Sequence, residues 1–145
     1  MPRSKITSTS KDIISDDGSI LVSVIEGEQV RLHIQLGWIT NLAGYTLDAR
    51  VVEGANVQGS DIRPTDPEPN GQVVTLDILD PITTDNEFDL VIPSTLINSW
   101  ATTPEPGQPI YGFIELSVAD SGVGSSQQVW KPLRGLVEVY YSATS

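Results

Sequence analysis

Only a few residues in this chain have side chains suited to chemistry, and their spacing decides how they can be used. His33 is the single histidine. As a general base it would need a nucleophile and an orienting acid brought together in space. It lies on the polar side of an alternating run, Val30-Arg31-Leu32-His33-Ile34-Gln35-Leu36, which places it on a surface or at an interface. The acids Asp77, Asp80, Asp85, Glu87 and Asp89 invite comparison with a calcium loop. Calcium takes six to eight oxygens from a tight loop, often with a glycine at its sharp turn. These acids spread along two strand-like runs and Pro81 without such a glycine, and only Asp85 and Glu87 stand two apart before a strand begins. A solvated acidic edge is the simpler reading, and charged edges discourage strand-to-strand aggregation. No particular pair of carboxylates is marked out for glycoside hydrolysis. Phosphate-cradling glycine loops, zinc motifs and a GxSxG elbow are missing from the sequence. There are no cysteines, hence no disulfide or thiolate chemistry. The expectation is a protein without catalytic residues, metal or cofactor: not an enzyme.

What remains is chemistry of contact. Trp38 and Trp100 flank the ends of elements and suit the ends of a core. Trp130, beside Lys131-Pro132 at a bend, is the aromatic best placed for a partly exposed contact. Tyr140 and Tyr141 must face opposite sides of a strand, so one ring, taken as Tyr140, should leave the core and serve as an interface anchor. The net charge is −11 with eight Lys and Arg in all. Arg3, Lys5 and Lys11 fall in the first eleven residues, where there are no acids. The other five bases face nineteen acids, which makes the remainder −14. Phosphate binding needs clustered bases, so the charge argues against nucleic acid as a partner for the body. Arg3, Lys5, Ile6 and Lys11 could dock a basic arm on the acidic face of a neighbour. The start lacks the apolar stretch of a signal peptide, and no apolar run reaches the roughly 18 residues of a membrane span.

The elements that would position these groups follow from periodicity and punctuation. A chain of 145 residues fits one domain and buries roughly 70% of its unfolded surface. Residues 1–18 read as an N-terminal arm and 19–145 as the folded domain; deletion of residues 1–12 is expected to weaken assembly while leaving the fold intact. Period-two alternation predicts strands at 19–25, 29–36, 45–53, 72–79, 86–92, 110–119 and 127–141. The loop 57–71 carries Pro64, Pro67 and Pro69, so no central strand can run through it. Residues 94–100 are the one helical candidate, with Ser94 or Thr95 as cap and Leu96, Ile97 and Trp100 at helical spacing. Pro132 predicts a bulge or an edge position in the last strand. The fold class is all-β: a single β-sandwich, immunoglobulin-like or jelly-roll-like, of seven or eight strands with one short helix near 94–100.

The order of certain motifs adds a resemblance. Gly27-Glu28-Gln29 precedes an alternating strand. The run 42–51 reads Leu-Ala-Gly-Tyr-Thr-Leu-Asp-Ala-Arg-Val. Phe88 to Trp100 joins a strand to the short apolar segment, Tyr111-Gly112-Phe113-Ile114 opens the next strand, and 133–139 reads Leu-Arg-Gly-Leu-Val-Glu-Val. Together, over roughly residues 19 to 142, this resembles small virion structural proteins of tailed bacteriophages, above all of T7-like phages of marine cyanobacteria. It is more loosely similar to the N-terminal sandwich of baseplate upper proteins. The resemblance implies a non-enzymatic virion part, present in many copies of a symmetric assembly. It would touch other virion proteins in the tail or fibre-attachment region or on the outer head surface. It carries no active-site residues to transfer, and the arm has no counterpart in it. An acidic body suits an outer surface, away from packaged DNA. The alternative is a carbohydrate-binding module that reads a host-surface glycan through Trp130.

Overall fold

Alternation sorts the side chains of a computed structural model that describes residues 4–8, 19–36, 39–58, 61–64, 73–79 and 86–143. Eleven strands are present: β1 (Ser4–Ser8), β2 (Ser19–Ile25), β3 (Val30–Leu36), β4 (Thr46–Glu53), β5 (Ala55–Gln58), β6 (Asp61–Pro64), β7 (Val73–Thr75), β8 (Asp77–Leu79), β9 (Glu87–Ile92), β10 (Ile110–Ala119) and β11 (Val129–Tyr140). In β3 the buried residues are Val30, Leu32, Ile34 and Leu36, while Arg31, His33 and Gln35 are half-buried on the other side. Ile20, Val22 and Val24 of β2, Phe88, Leu90 and Ile92 of β9, and Ile114, Leu116 and Val118 of β10 obey the same rule.

Two sheets share these residues in one core. The first has the order β1-β3-β9-β8, the second β2-β11-β10-β4-β7, and β5-β6 is a separate hairpin. All pairings are antiparallel except β2 with β11, which run parallel from Ser19↔Arg134 to Ile25↔Tyr140. Lettered in chain order, the sheets separate as A-B-E-D and A′-G-F-C-C′, the partition of an immunoglobulin-type sandwich rather than a jelly roll. Leu32 and Ile34 of β3 and Ile114 and Leu116 of β10, all fully buried, belong to this one core, and the chain has no cysteine to join the sheets by a disulfide.

The strand number exceeds the expected seven or eight for three physical reasons. The run read as one strand, 72–79, divides at Leu76. β7 pairs with β4 and β8 with β9, and the buried Leu76 donates its N–H to the Ala49 carbonyl at 2.8 Å where the chain changes sheets. The β5-β6 hairpin, 55–64, overlaps the start of the proline-rich loop and lies outside both sheets, with Pro64 at its last paired position. The segment read as an arm supplies β1, with Thr7 opposite His33 and Lys5 opposite Gln35.

The short helix near 94–100 does not form. Residues 94–99 are successive turns closed by Leu96 N–H to the Pro93 carbonyl, Asn98 to Thr95 and Trp100 to Ile97, each three residues back. Seven residues are too few to offset helix nucleation. The apolar side is placed as its spacing implied, because Leu96, Ile97 and Trp100 are buried. Trp100 closes the core over β10: a Cβ at Gly112 would lie 2.7 Å from its Cη2 atom. Helical hydrogen bonding occurs instead in the 3-10 turn Gly124–Ser126, between β10 and β11. Pro132 sits at a bulge, since the register passes from Leu116↔Leu133 to Val118↔Trp130. β2 begins opposite Arg134, so it ends before reaching the proline.

Candidate functional site

The outward face of the four-stranded sheet holds the one histidine. β3 and β9 align His33 with Asp89 and Gln35 with Glu87. The His33 ring is held at both nitrogens: Nδ1 lies 2.7 Å from Asp89 Oδ1 and Nε2 3.0 Å from Glu87 Oε1. Arg31 Nε donates to the other oxygen of Asp89 at 2.7 Å. Hydrogen bonds to Glu87 and then Asp89 raise the His33 pKa above its ordinary 6.5. Burial pushes the Asp89 carboxyl up, but hydrogen bonds from His33 and Arg31 outweigh it and the net shift is downward. A ring held at both nitrogens by carboxylates is favoured in its protonated form, which runs against the free lone pair a general base needs. The arrangement braces two neighbouring strands. Glu87 and Asp89 are therefore strand-bracing partners rather than a purely solvated edge, since β9 runs between β3 and β8. Asp77, on β8, is exposed, and Asp80 and Asp85 lie outside the described residues. Among the described residues, no three of His, Asp and Glu gather as a cage for a metal ion.

The outward face of the five-stranded sheet has a different character. Here the alternation is broken. Each strand carries two adjacent apolar residues: Ile20-Leu21, Leu136-Val137, Phe113-Ile114, Val51-Val52 and Val73-Val74. One member of each pair enters the core; the other must point outward. The register then aligns the outward members. Leu21 is opposite Leu136, Leu136 opposite Phe113, Phe113 opposite Val52, and Val52 opposite Val73. At a strand spacing of about 4.8 Å, this apolar row runs about 19 Å across the sheet. Its ends are open, with Leu21 52% and Val73 51% exposed. Its centre is covered, because the Arg134 guanidinium lies 5.3 Å from the Phe113 ring centroid and Phe113 is only 4% exposed. The row is thus apolar on every strand of the sheet, exposed at its two ends and covered at Phe113.

Polar flanks border the row. On one side, Glu115 takes Lys131 at 3.2 Å and Arg134 at 3.1 Å, while Arg50 bonds Asp48 at 2.9 Å. These groups wall a cleft of about 400 Å³, with Phe113 and Val52 in its lining. Such exposed pairs contribute only about 0–1 kcal/mol each to stability. On the other side stand Glu138 and Tyr111, opposite one another, then Tyr140 opposite Ile25. Glu138 accepts from Ser23 Oγ at 3.3 Å and from the Tyr140 hydroxyl at 3.1 Å.

The residues singled out from sequence fall in different places. Arg3, Lys11 and Trp38 lie outside the described residues. Lys5 and Ile6 are in β1, in register with Gln35 and Ile34 at the edge of the first sheet. Trp130 is half-buried, packed on the rim of the core with its ring 6.2 Å from that of Tyr45. Tyr140 is 39% exposed on the outward face of the second sheet. Tyr141 was expected to follow Val137 and Val139 inward, yet it is 47% exposed because β11 ends one residue earlier. Tyr140 alone of the singled-out residues belongs to the apolar face. Leu21, Leu136, Phe113, Val52 and Val73 were missed. Their signal was the doublets that interrupt the alternation, but no single doublet reveals that five of them line up. No family model matches the chain, and no curated protein is significantly similar to it.

Proposed function

We propose that this chain is a non-enzymatic structural component of a tailed-phage virion. It acts by protein–protein contact through the outward face of the five-stranded sheet. The row Leu21-Leu136-Phe113-Val52-Val73 carries the contact part of this reading, because apolar area held outward on rigid strands is area ready for burial against another protein. Open-ended Leu21 and Val73 and the neighbouring Tyr111, Tyr140 and Ile25 supply the anchors, and the charged flanks supply a polar rim. The virion part draws on the motif order over residues 19–142 and on the acidic body. The place in the particle is the tail or fibre-attachment region or the outer head surface, in many identical copies. Quantitative mass spectrometry of purified particles from a phage encoding this chain is the test. The expected result is a fixed copy number per particle that falls when Leu136 is changed to Asp. A chain found only in the infected-cell lysate, and never in washed particles, refutes the proposal.

A further inference from the structure

We propose that the occupant of the apolar face is a second copy of this chain, packed face to face about a two-fold axis that runs along the row itself. The inference rests on the contact-face reading above and names its partner. The reason is self-complementarity. On β11, Arg134 and Glu138 stand two residues either side of Leu136, all three on the outward face. Rotation by a half-turn about the row turns the face over and exchanges its two flanks while keeping each strand over its own counterpart. Leu21, Leu136, Val52 and Val73 then meet the same residues of the partner, while Arg134 of each copy lies over its own Phe113. Arg134 of each copy meets Glu138 of the other, and the pair occurs twice, as an isologous interface requires. On β10 the same operation brings Glu115 over Tyr111, an acceptor over a hydroxyl donor. On β4 it brings Arg50 over Gly54, which has no side chain to obstruct the guanidinium.

Among the described residues, charge favours this face. The chain carries −11 overall, so copies repel one another. Among the Lys and Arg whose side chains are described, Arg50, Lys131 and Arg134 are on this face and only Arg31 is elsewhere. The size is also sufficient. Four strands at about 4.8 Å over seven residues at about 3.3 Å, with the three-residue β7 beside them, give a flat footprint of about 490 Å². With side-chain relief added, that approaches the ~600 Å² per partner at the lower end of specific interfaces. Aligned packing of two twisted sheets keeps their strands within about 30°, so the row and both flanks stay in reach.

Sedimentation equilibrium on the full chain at about 100 µM tests this, a concentration at which even a weak dimer is populated. The parent is expected at twice the chain mass. Arg134→Glu alone and Glu138→Arg alone each place like charges together and should raise the dissociation constant at least about tenfold. An equimolar mixture of these two variants brings opposite charges together at both sites, so it should form a heterodimer, and the double variant should dimerise with itself. Leu21→Asp, at an open end of the row, is the second route: it should sediment as a monomer while keeping the circular dichroism spectrum of the parent, and it holds if Arg134→Glu misfolds. A parent that is monomeric at this concentration overturns the inference. So does dimerisation that both single variants and Leu21→Asp leave untouched, or a mixture no tighter than its components. A monomer found in particles overturns the dimer alone, whereas a dimer missing from particles overturns the virion reading alone.

Discussion

Gly135 is the position at which one added methyl group should do the most damage. β2 lies so close to β11 there that a Cβ would fall 2.0 Å from the Ile20 carbonyl oxygen, 2.8 Å from its carbon and 2.9 Å from its nitrogen. All three atoms are backbone, so no rotamer change relieves the overlap. β2 must retreat by about 1.5 Å to reach ordinary contact. Ladder hydrogen bonds near 2.9 Å then lengthen to about 4.4 Å, beyond useful range. The whole parallel ladder from Ser19 to Ile25 is at risk, and with it the burial of Ile20, Val22 and Val24. Complete detachment would expose three side chains at about 1.5–3 kcal/mol each, or about 4.5–9 kcal/mol. A local adjustment would cost about 1–3 kcal/mol, as overpacking does. Because the clash is backbone against backbone, Gly135→Ala should lose at least about 3 kcal/mol, a large share of a typical total of about 5–15. Urea unfolding gives the magnitude, and native-state hydrogen exchange gives the location, with β2 amides losing protection before those of β10. A Gly135→Ala protein within about 0.5 kcal/mol of the parent, the range of an inert surface change, would refute the reasoning.

Other expectations follow from the same contacts. The His33 pKa is raised, so the stabilisation from its charged ring is complete below its ordinary 6.5 and is lost as pH climbs through the folded value; Asp89, lowered from 3.8, contributes above that figure and is lost as pH falls through its own folded value. The difference in urea midpoint between parent and His33→Gln should therefore be widest between these limits and shrink as the pH is raised past 6.5. Phe88, 1% exposed at the centre of β9, should cost about 3–5 kcal/mol as Phe88→Ala, read from the same unfolding curves. Deleting residues 1–8 removes β1 and bares the outer edge of β3, so the truncated chain should melt lower and aggregate faster on light scattering, contrary to the intact fold expected of a mere arm.

Much of the fold was legible because period two is a local property. Val30, Leu32, Ile34 and Leu36 declare their inward face without reference to any other strand, and so do Phe88, Leu90 and Ile92. Pro132 announced its bulge for a similarly local reason, since a ring without an N–H cannot extend a ladder. The segment 94–100 misled because helical spacing of Leu96, Ile97 and Trp100 is satisfied equally by successive turns that bury the same three side chains. β1 escaped notice because a run of Ser, Thr and Lys shows no core-facing pattern; its pairing is conferred by the free edge of β3. The division of 72–79 between two sheets is likewise absent from local pattern, since both halves alternate and only the partners β4 and β9 differ.

The site follows the same divide between local and distant. The chain by itself determined a cysteine-free, acidic all-β domain, the solvent-facing side of His33, and an outward Tyr140. Each depends on residue type and on alternation along one strand. Only the tertiary structure decided that His33 is clamped by Glu87 and Asp89, and that five apolar doublets from 20–21, 51–52, 73–74, 113–114 and 136–137 form one row. Registry between strands far apart in sequence sets which residues stand side by side, and that registry is chosen by the packing of the whole sandwich.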